Sequence, residues 1–242
     1  MKKTFTFKSF INAFVLLCIS TVSYAQQQAN DSTLVKKYPD VYGFRIGIDA
    51  LSATRNVWDK DFKGIDIITD FRINKDWYAA IEGGFVDKYK DEDRMDFSTK
   101  GAYVRVGVDR NLHKNWLDMN NMIYFGGRYG FSLFQQELHS YDIIIPGDYL
   151  EELNIKTNQT STGLHAHWLE LVAGMKAEIS PNLFLGMAFR IHGLVYQKQP
   201  EAFENLYIPG FGKKYSGAIG ASFNYSVSYL FPLKKKYEKI EF

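Results

Sequence analysis

Apolar and polar residues alternate along this chain with a period of two, and the stretch GIDIITDFRI at residues 64–73 shows the alternation clearly. Ile65 and Ile67 share one parity, whereas Asp66 and Asp70 share the other. Because successive side chains of a β-strand point to opposite faces, this pattern predicts a strand with one apolar face and one charged face. The fold must therefore supply two very different environments to the two faces of one strand.

The alternation recurs in eight segments, each longer than the five or six residues that are usual in soluble sheets. The predicted strands are 42–52, 62–74, 77–88, 100–110, 122–134, 165–179, 183–196 and 216–231. Short connections at 74–76 and 180–182 alternate with long ones such as 53–61 and 135–164. An even number of long antiparallel strands, with short turns at one end and long loops at the other, is typical of an outer-membrane barrel.

A soluble β-sandwich or a lipocalin-like barrel is the alternative, because its polar face also alternates with an apolar one and lies in water. Three features favour the membrane barrel. Five of the six basic residues on the charged face are arginines, which suit confined ion pairs, and nine glycines share that face, as a narrow lumen requires. Aromatic residues such as Tyr42, Trp77 and Phe231 lie near strand ends, where interfacial girdles form. We therefore expect an all-β fold, an eight-stranded antiparallel transmembrane β-barrel with a polar, ion-paired interior.

The charged face carries seven acidic and six basic residues. They are Arg45, Asp49, Asp66, Asp70, Arg72, Glu82, Arg105, Asp109, Arg128, Glu170, Lys176, Glu178 and Arg190. An eight-stranded barrel has an interior only just wide enough for side chains, and an unpaired charge there is costly. We expect these residues to form a salt-bridge network that plugs the bore. The alternative is a narrow gated channel whose ion pairs open.

The first 25 residues have the layout of a secretory signal peptide, with three lysines, an apolar run and small residues before a cut near Ala25–Gln26. A membrane anchor is the alternative, but the apolar run is short for a span. The predicted division is 1–25 signal peptide, 26–40 periplasmic lead-in, 41–233 outer-membrane β-barrel and 234–242 charged C-terminal tail. The expected location is the bacterial outer membrane.

Removal of the leader leaves 26 basic against 27 acidic residues, a formal net charge of −1, which gives no reason to expect a nucleic-acid partner. The chain has a single cysteine, Cys18, and it lies inside the leader. We therefore expect no disulfide, no thiol chemistry and no thiolate metal site in the mature protein.

Three runs, at 99–132, 165–191 and 204–233, resemble a family of small outer-membrane barrels of unknown function from Bacteroidota. They begin TKGAYVRVGVDRNLHKNW, HAHWLELVAGMKAEIS and ENLYIPGFGKKYSGAI, and the resemblance extends over about 41–233. It implies a barrel fold in the outer membrane. It implies no reaction and no catalytic residues.

The candidate rim site consists of His165, His167, Trp168 and Tyr207. His165 and His167 alternate on one strand face, so both imidazoles could approach one metal ion, but a third ligand would have to come from a loop. Some barrels of this size are enzymes that act on lipid A. The parts available here are His139, Ser140, His165, His167, His192 and Glu170. The His-x-Ser spacing of the deacylases is absent, so we expect no enzyme. Histidines at the membrane rim, without a third ligand, are the expected role of His165 and His167, so we expect no bound metal, and we expect no cofactor.

The loop at 135–163 is acidic and carries the apolar run YDIIIPGDYL, which favours either a contact surface for a protein partner or a simple extension of the strands. The other expected partners are outer-membrane lipid, lipopolysaccharide and, during biogenesis, the barrel-assembly machinery. We expect a monomeric, non-enzymatic barrel that is structural or binds ligands through its extracellular loops. A rim enzyme acting on lipid A or phospholipid is the rival prediction.

Overall fold

The computed structural model describes residues 40–92, 95–113, 119–144, 152–201, 203–212 and 218–236. The elements in this part of the chain are β1 (Asp40–Asp49), α1 (Ala50–Trp58), β2 (Phe62–Arg72), β3 (Trp77–Glu92), β4 (Met95–Asn111), β5 (Met122–Ile144), β6 (Glu152–Ser180), β7 (Leu183–Gln197) and β8 (Ile219–Lys236). The predicted signal peptide, the lead-in up to residue 39 and the tail from residue 237 lie outside the described residues.

The eight strands form a closed antiparallel barrel in which each strand pairs with its sequence neighbours and β8 pairs with β1. Following the paired residues from Arg45 through the other strands leads to Gly220 on β8, whereas β1 pairs Arg45 directly with Leu230. Closure thus carries a stagger of ten residues, the kind of shear that tilts the strands of a barrel. The predicted all-β, eight-stranded antiparallel barrel is confirmed.

The two faces sort as the alternation predicts. On β2, Ile65, Ile67 and Phe71 are exposed on the outer surface, while Asp70 and Arg72 are buried inside. No helix in the described ranges is long and apolar enough to cross a membrane. The short turns at 73–76 and 181–182 lie at the barrel end that also holds Asp40 and Lys236. We call this the turn end, and the opposite end the loop end.

At the loop end the structure corrects the first connection. We expect β1 to continue to residue 52 and a loop to follow at 53–61, but β1 ends at Asp49 and α1 begins at once. The Asp49 carboxylate caps this helix, because its Oδ1 accepts the backbone N–H groups of Leu51 at 2.8 Å and Ser52 at 3.4 Å. The Asn56 side chain donates a hydrogen bond to the backbone C=O of Gly64 and accepts one from its backbone N–H. These two bonds fix α1 against β2.

The acidic loop predicted at 135–163 is mostly an extension of strands β5 and β6, whose pairing continues to Ile144 opposite Glu152. Two register shifts interrupt this hairpin, and residues with positive φ, Asn158 and Gly163, lie beside them. The strand extension is thus observed, and a contact surface for a protein partner stays a prediction. Residues 145–151 lie outside the described part.

Candidate functional site

A cluster of acidic and basic side chains fills the middle of the bore, and we call it the central cluster. Glu82 on β3 lies at its centre and contacts three guanidinium groups, from Arg190 at 2.7 Å, Arg105 at 2.9 Å and Arg128 at 3.5 Å. Each of these four side chains comes from a different strand. Each lies at an inward-facing position of its strand, because alternate residues of a strand share a face. Ion pairs therefore cross the bore as well as linking neighbouring strands.

Two more carboxylates complete the central cluster. Glu170 pairs with Arg105 at 3.1 Å and Arg190 at 3.3 Å, and it accepts the indole N–H of Trp168 at 2.6 Å. Asp109 pairs with Arg128 at 2.8 Å. The six groups are three acids and three arginines, so their formal charges cancel.

A second cluster, the lower cluster, lies nearer the turn end around Asp70. Arg45 donates to Asp70 at 2.7 Å, and Lys176 reaches the other oxygen of the same carboxylate from across the bore. The guanidinium of Arg45 also lies 5.1 Å from the ring centroids of both Tyr78 and Phe184. These contacts bring together side chains from β1, β2, β3, β6 and β7 below the central cluster.

Four of the thirteen predicted interior residues lie outside both clusters. Arg72 pairs with Asp40 at 2.9 Å, at the turn end. The carboxylates of Asp49, Asp66 and Glu178 have no ion pair with any described residue, which departs from the predicted network. Asp66 instead accepts a hydrogen bond from the Tyr103 hydroxyl, and Asp49 caps α1. Glu178 accepts a hydrogen bond from the backbone N–H of Asn120 at 2.7 Å.

The candidate rim site is not assembled. His165 and His167 project outward, whereas Trp168 points into the barrel and is fully buried, because adjacent residues of a strand face opposite sides. His167 bonds the Tyr129 hydroxyl through Nδ1 at 2.6 Å, and both histidine rings pack beside Tyr196. Tyr207 lies inside, and burial raises its pKa.

The other parts considered for a lipid A enzyme are also apart. His139 approaches Ser98 at 3.1 Å, and Ser140 donates to Asp96 at 2.6 Å, which lowers the pKa of that carboxyl. His192 is buried in the bore, with its ring 4.5 Å from that of Phe211. Among the described residues, no group of three or more His, Cys, Asp or Glu side chains is arranged to hold a metal ion.

Sequence reasoning missed a segment at 203–212 that folds into the loop end of the barrel. Ile208 and Phe211 are buried, and Phe211 packs against Trp168 from the inner wall. Gly210, with φ of +80°, lies over the Tyr103 ring and accepts a hydrogen bond from Arg105 at 2.8 Å. We call this the inward segment. Its signal in the sequence is the apolar run IPGF within a connection that otherwise has no alternation.

Between α1 and the inward segment lies a cavity of about 180 Å³. Aromatic side chains form part of its wall, together with Asp49, Asp66 and the guanidinium of Arg55. Arg55 stacks 4.1 Å from the Phe62 ring centroid and pairs with Asp59 at 2.8 Å, and its hydrogen bond lowers the pKa of Asp59. The cavity is thus bounded by residues from the helix, from the inner faces of several strands and from the inward segment.

Comparison with known proteins gives a family match and a distant likeness to a solved structure. The profile of DUF6048, described as a domain of unknown function, matches residues 6–236. No curated protein matches the chain. Among solved structures, the chain is similar to Neisserial surface protein A, NspA, at 14% identity and a TM-score of 0.39, over 79% of this chain and 96% of that one.

Proposed function

The chain belongs to the DUF6048 family, and we propose that it is a non-enzymatic outer-membrane barrel with a closed bore that acts at the cell surface. The observation that carries this proposal is the inversion of the usual arrangement of a soluble barrel. Apolar side chains cover the outside, and ion pairs fill the inside. Its role is structural or consists in binding ligands at the loop end.

The apolar outer surface extends over every strand. One residue from each strand in turn, Ile48, Ile67, Ile81, Val106, Phe125, Leu171, Ile191 and Tyr225, is between 44% and 57% exposed. Soluble monomers rarely expose contiguous apolar patches of more than a few hundred Å², whereas a band of this kind matches the hydrocarbon core of a bilayer. Pairing of β8 with β1 also closes the ring, so no strand edge presents unpaired backbone N–H and C=O groups to lipid, which cannot form hydrogen bonds with them.

Aromatic side chains at both barrel ends support the same orientation in a membrane. Trp77 and Tyr229 are exposed near the turn end, and Tyr129 and Tyr196 are exposed towards the loop end. Tryptophan and tyrosine concentrate at the two membrane interfaces, where an amphipathic ring has both lipid and water within reach. We infer that the loop end faces outward and the turn end faces the periplasm, as in other barrels of this layout.

Closure of the bore has three supports. The central and lower clusters occupy successive levels of a lumen that eight strands leave only wide enough for side chains. The inward segment lies above them at the loop end, where Phe211 is 2% exposed. Opening an ion path would require charges that are paired in a buried place to separate, which is costly. We therefore propose a plugged barrel rather than a gated channel.

The finer parts of the proposal concern biogenesis and partners. We propose export with cleavage near Ala25–Gln26, insertion by the barrel-assembly machinery, and an origin in the Bacteroidota family that the sequence resembles. Lipid and lipopolysaccharide would contact the apolar belt, and the β5–β6 hairpin would offer the surface for a protein partner. The protein would act as a monomer. The separation of His165 and His167 from the inner residues supports a non-enzymatic role.

Conductance of the purified full chain in planar lipid bilayers tests the proposal. A folded, inserted protein, recognised by a heat-dependent shift in gel migration, should give no sustained ion-sized current. Sustained single-channel currents would refute the closed bore. Recovery in the soluble fraction of fractionated cells would refute the location, and a change in lipid A mass spectra on expression would refute the non-enzymatic role.

A further inference from the structure

Two carboxylates at the cavity between α1 and the inward segment have no cationic partner. Asp49 and Asp66 both line this cavity, and no described basic side chain lies within 4 Å of either. Among the described residues, the groups bonded to these carboxylates are hydrogen-bond donors, the helix N–H groups for Asp49 and the Tyr103 hydroxyl for Asp66. The site therefore has two acidic groups and no compensating base.

The arginines of the cavity wall do not supply that compensation, because other acids hold them. Arg190 is held by Glu82 at 2.7 Å, and Arg105 by Glu170 at 3.1 Å. Arg55 is held by Asp59 at 2.8 Å. Each positive charge that reaches the wall is thus matched by an acid, and the two free carboxylates leave an excess of negative charge.

Two buried polar side chains that line the same cavity also lack partners. The Ser52 Oγ and the Asn224 Oδ1 have no hydrogen-bond partner, although the residues are only 7% and 9% exposed. Buried polar atoms are nearly always hydrogen-bonded to protein, water or a ligand. Both oxygens are able to accept, as are the two carboxylates, so the cavity needs donors.

We propose that this cavity binds a small molecule that carries a primary ammonium group. An ammonium group has three donors and no acceptor, so it can donate to three of these four acceptors, and it brings a positive charge to the two carboxylates. The oxygens, and not the aromatic rings, supply the affinity, because each ring of the wall already stacks with a cation of the protein: Phe62 with Arg55 at 4.1 Å, Tyr103 with Arg105 at 4.5 Å and Tyr207 with Lys88 at 4.2 Å. A volume of about 180 Å³ admits an amine of a few heavy atoms but not a drug-sized ligand.

This inference goes beyond the proposed function and does not depend on it. A barrel that conducts ions but binds amines would refute only the closed bore, and a barrel that is closed but binds no amine would refute only the cavity's role. The two properties are measured on the same folded protein.

The test is titration calorimetry on the full chain folded in detergent micelles at pH 7, with benzylamine and 1,4-diaminobutane as probes. Benzyl alcohol and 1,4-butanediol are the matched neutral probes. We expect at least one amine to bind and its alcohol to bind at least about tenfold more weakly, because hydrogen bonds to charged groups are the strong ones. Equal binding of amine and alcohol, or no binding of either amine, would overturn the proposal.

Variants locate the binding to the two carboxylates. Asp66→Asn keeps an acceptor for Tyr103, and Asp49→Asn keeps a side chain that caps helices well. We expect each to weaken amine binding about tenfold, since each removes one charge. Glu178→Gln is the matched control, a carboxylate that also has no ion pair but lies at the turn end, and it should bind as the parent does. An affinity unchanged in both aspartate variants, with the heat-dependent gel shift intact, would contradict the assignment.

Discussion

Removal of one buried charge, in Glu82→Gln, tests whether the central cluster stabilises the barrel. Glu82 contacts three arginines at 2.7, 2.9 and 3.5 Å and is 4% exposed. The substitution preserves size and leaves those three arginines with two acids, Glu170 and Asp109. The cluster then changes from neutral to a net charge of +1 in a buried place.

The size of the effect follows from two opposing contributions. At an effective dielectric constant of about 20, each contact near 3 Å is worth roughly 5 kcal/mol before desolvation is counted. The free-energy cost of removing the carboxylate from water offsets much of that attraction. Removing one partner of a buried ion pair leaves the other charge uncompensated, and the net cost is about 3–5 kcal/mol. We therefore expect Glu82→Gln to lower the free energy of unfolding by about 3–5 kcal/mol.

Urea unfolding of the protein in lipid vesicles, followed by tryptophan fluorescence, measures this change. Glu178→Gln is the control, because Glu178 only bonds turn amides, and it should cost no more than about 1 kcal/mol. The double variant Glu82→Gln with Arg190→Gln restores two bases against two acids and should recover at least about 1 kcal/mol. A loss in Glu82→Gln that is no larger than in the control would refute the reasoning.

Two further predictions concern packing and the long hairpin. Gly130→Ala should lower the free energy of unfolding by about 1–3 kcal/mol in the same urea assay, because the added Cβ would lie 2.1 Å from the Trp168 ring. Gly127→Ala on the same strand is the control and should be tolerated, because its Cβ would meet nothing closer than 3.9 Å. Equal losses of stability in the two variants would contradict this account of the inner wall. Replacing residues 139–158 with Asn-Gly joins Leu138 to Gln159, which are directly opposite, so the barrel should keep its heat-dependent gel shift, and its loss would show that the hairpin is needed for folding.

The sorting of residues into inner and outer faces could be predicted from the sequence because it is a local property. Period-two alternation assigns Asp70 and Glu82 to one side and Ile67 and Ile81 to the other without any knowledge of pairing, and the structure has them so. The same parity also separates Trp168 from His165 and His167, so the proposed grouping at the rim was wrong on evidence that the sequence already contained. Residues that are adjacent in sequence lie on opposite faces of a strand, so closeness along the chain does not bring their side chains together.

Partner choice within the bore could not be predicted, because it depends on contacts across the lumen. Arg128 and Glu170 are directly opposite in the β5–β6 ladder, yet Arg128 pairs with Asp109 and Glu82 instead. Lys176 reaches Asp70 from a strand that is not its neighbour. Such pairs require the stagger of the whole ring, which no single segment encodes.

The segments without alternation were the hardest to predict, and both contribute to the cavity. For α1, the signal was present, since Asp49 is a good capping residue ahead of ALSATRNVW, but a nine-residue helix gives a short pattern beside long strands. For the inward segment, the buried positions of Ile208 and Phe211 depend on a space that exists only once the barrel is closed. Tertiary packing, and not local preference, places them.

Large inner side chains and glycines are directly opposite each other on neighbouring strands, and this arrangement offers a reason for a single register. The pairs are Asp66 with Gly84, Arg128 with Gly107, Asp109 with Gly126, Trp168 with Gly130, Tyr124 with Gly174 and His192 with Gly220. At Gly84 and Gly126 an added Cβ would lie 2.0 Å from the opposing carboxylate oxygen, so the large side chain leans over its glycine.

A slip of one residue would turn these charges towards the outer surface, and a slip of two would keep the faces but lay each large side chain over a neighbour that has a Cβ. In lipid the outer apolar residues contribute little to this choice, since acyl chains are as apolar as the residues themselves. The register must then be selected inside the bore, where ion pairs reward the correct partners and glycines admit only one alignment. On this argument the charges that fill the bore also make the barrel fold to one structure, and Gly130→Ala should weaken the fold even though it removes no ion pair.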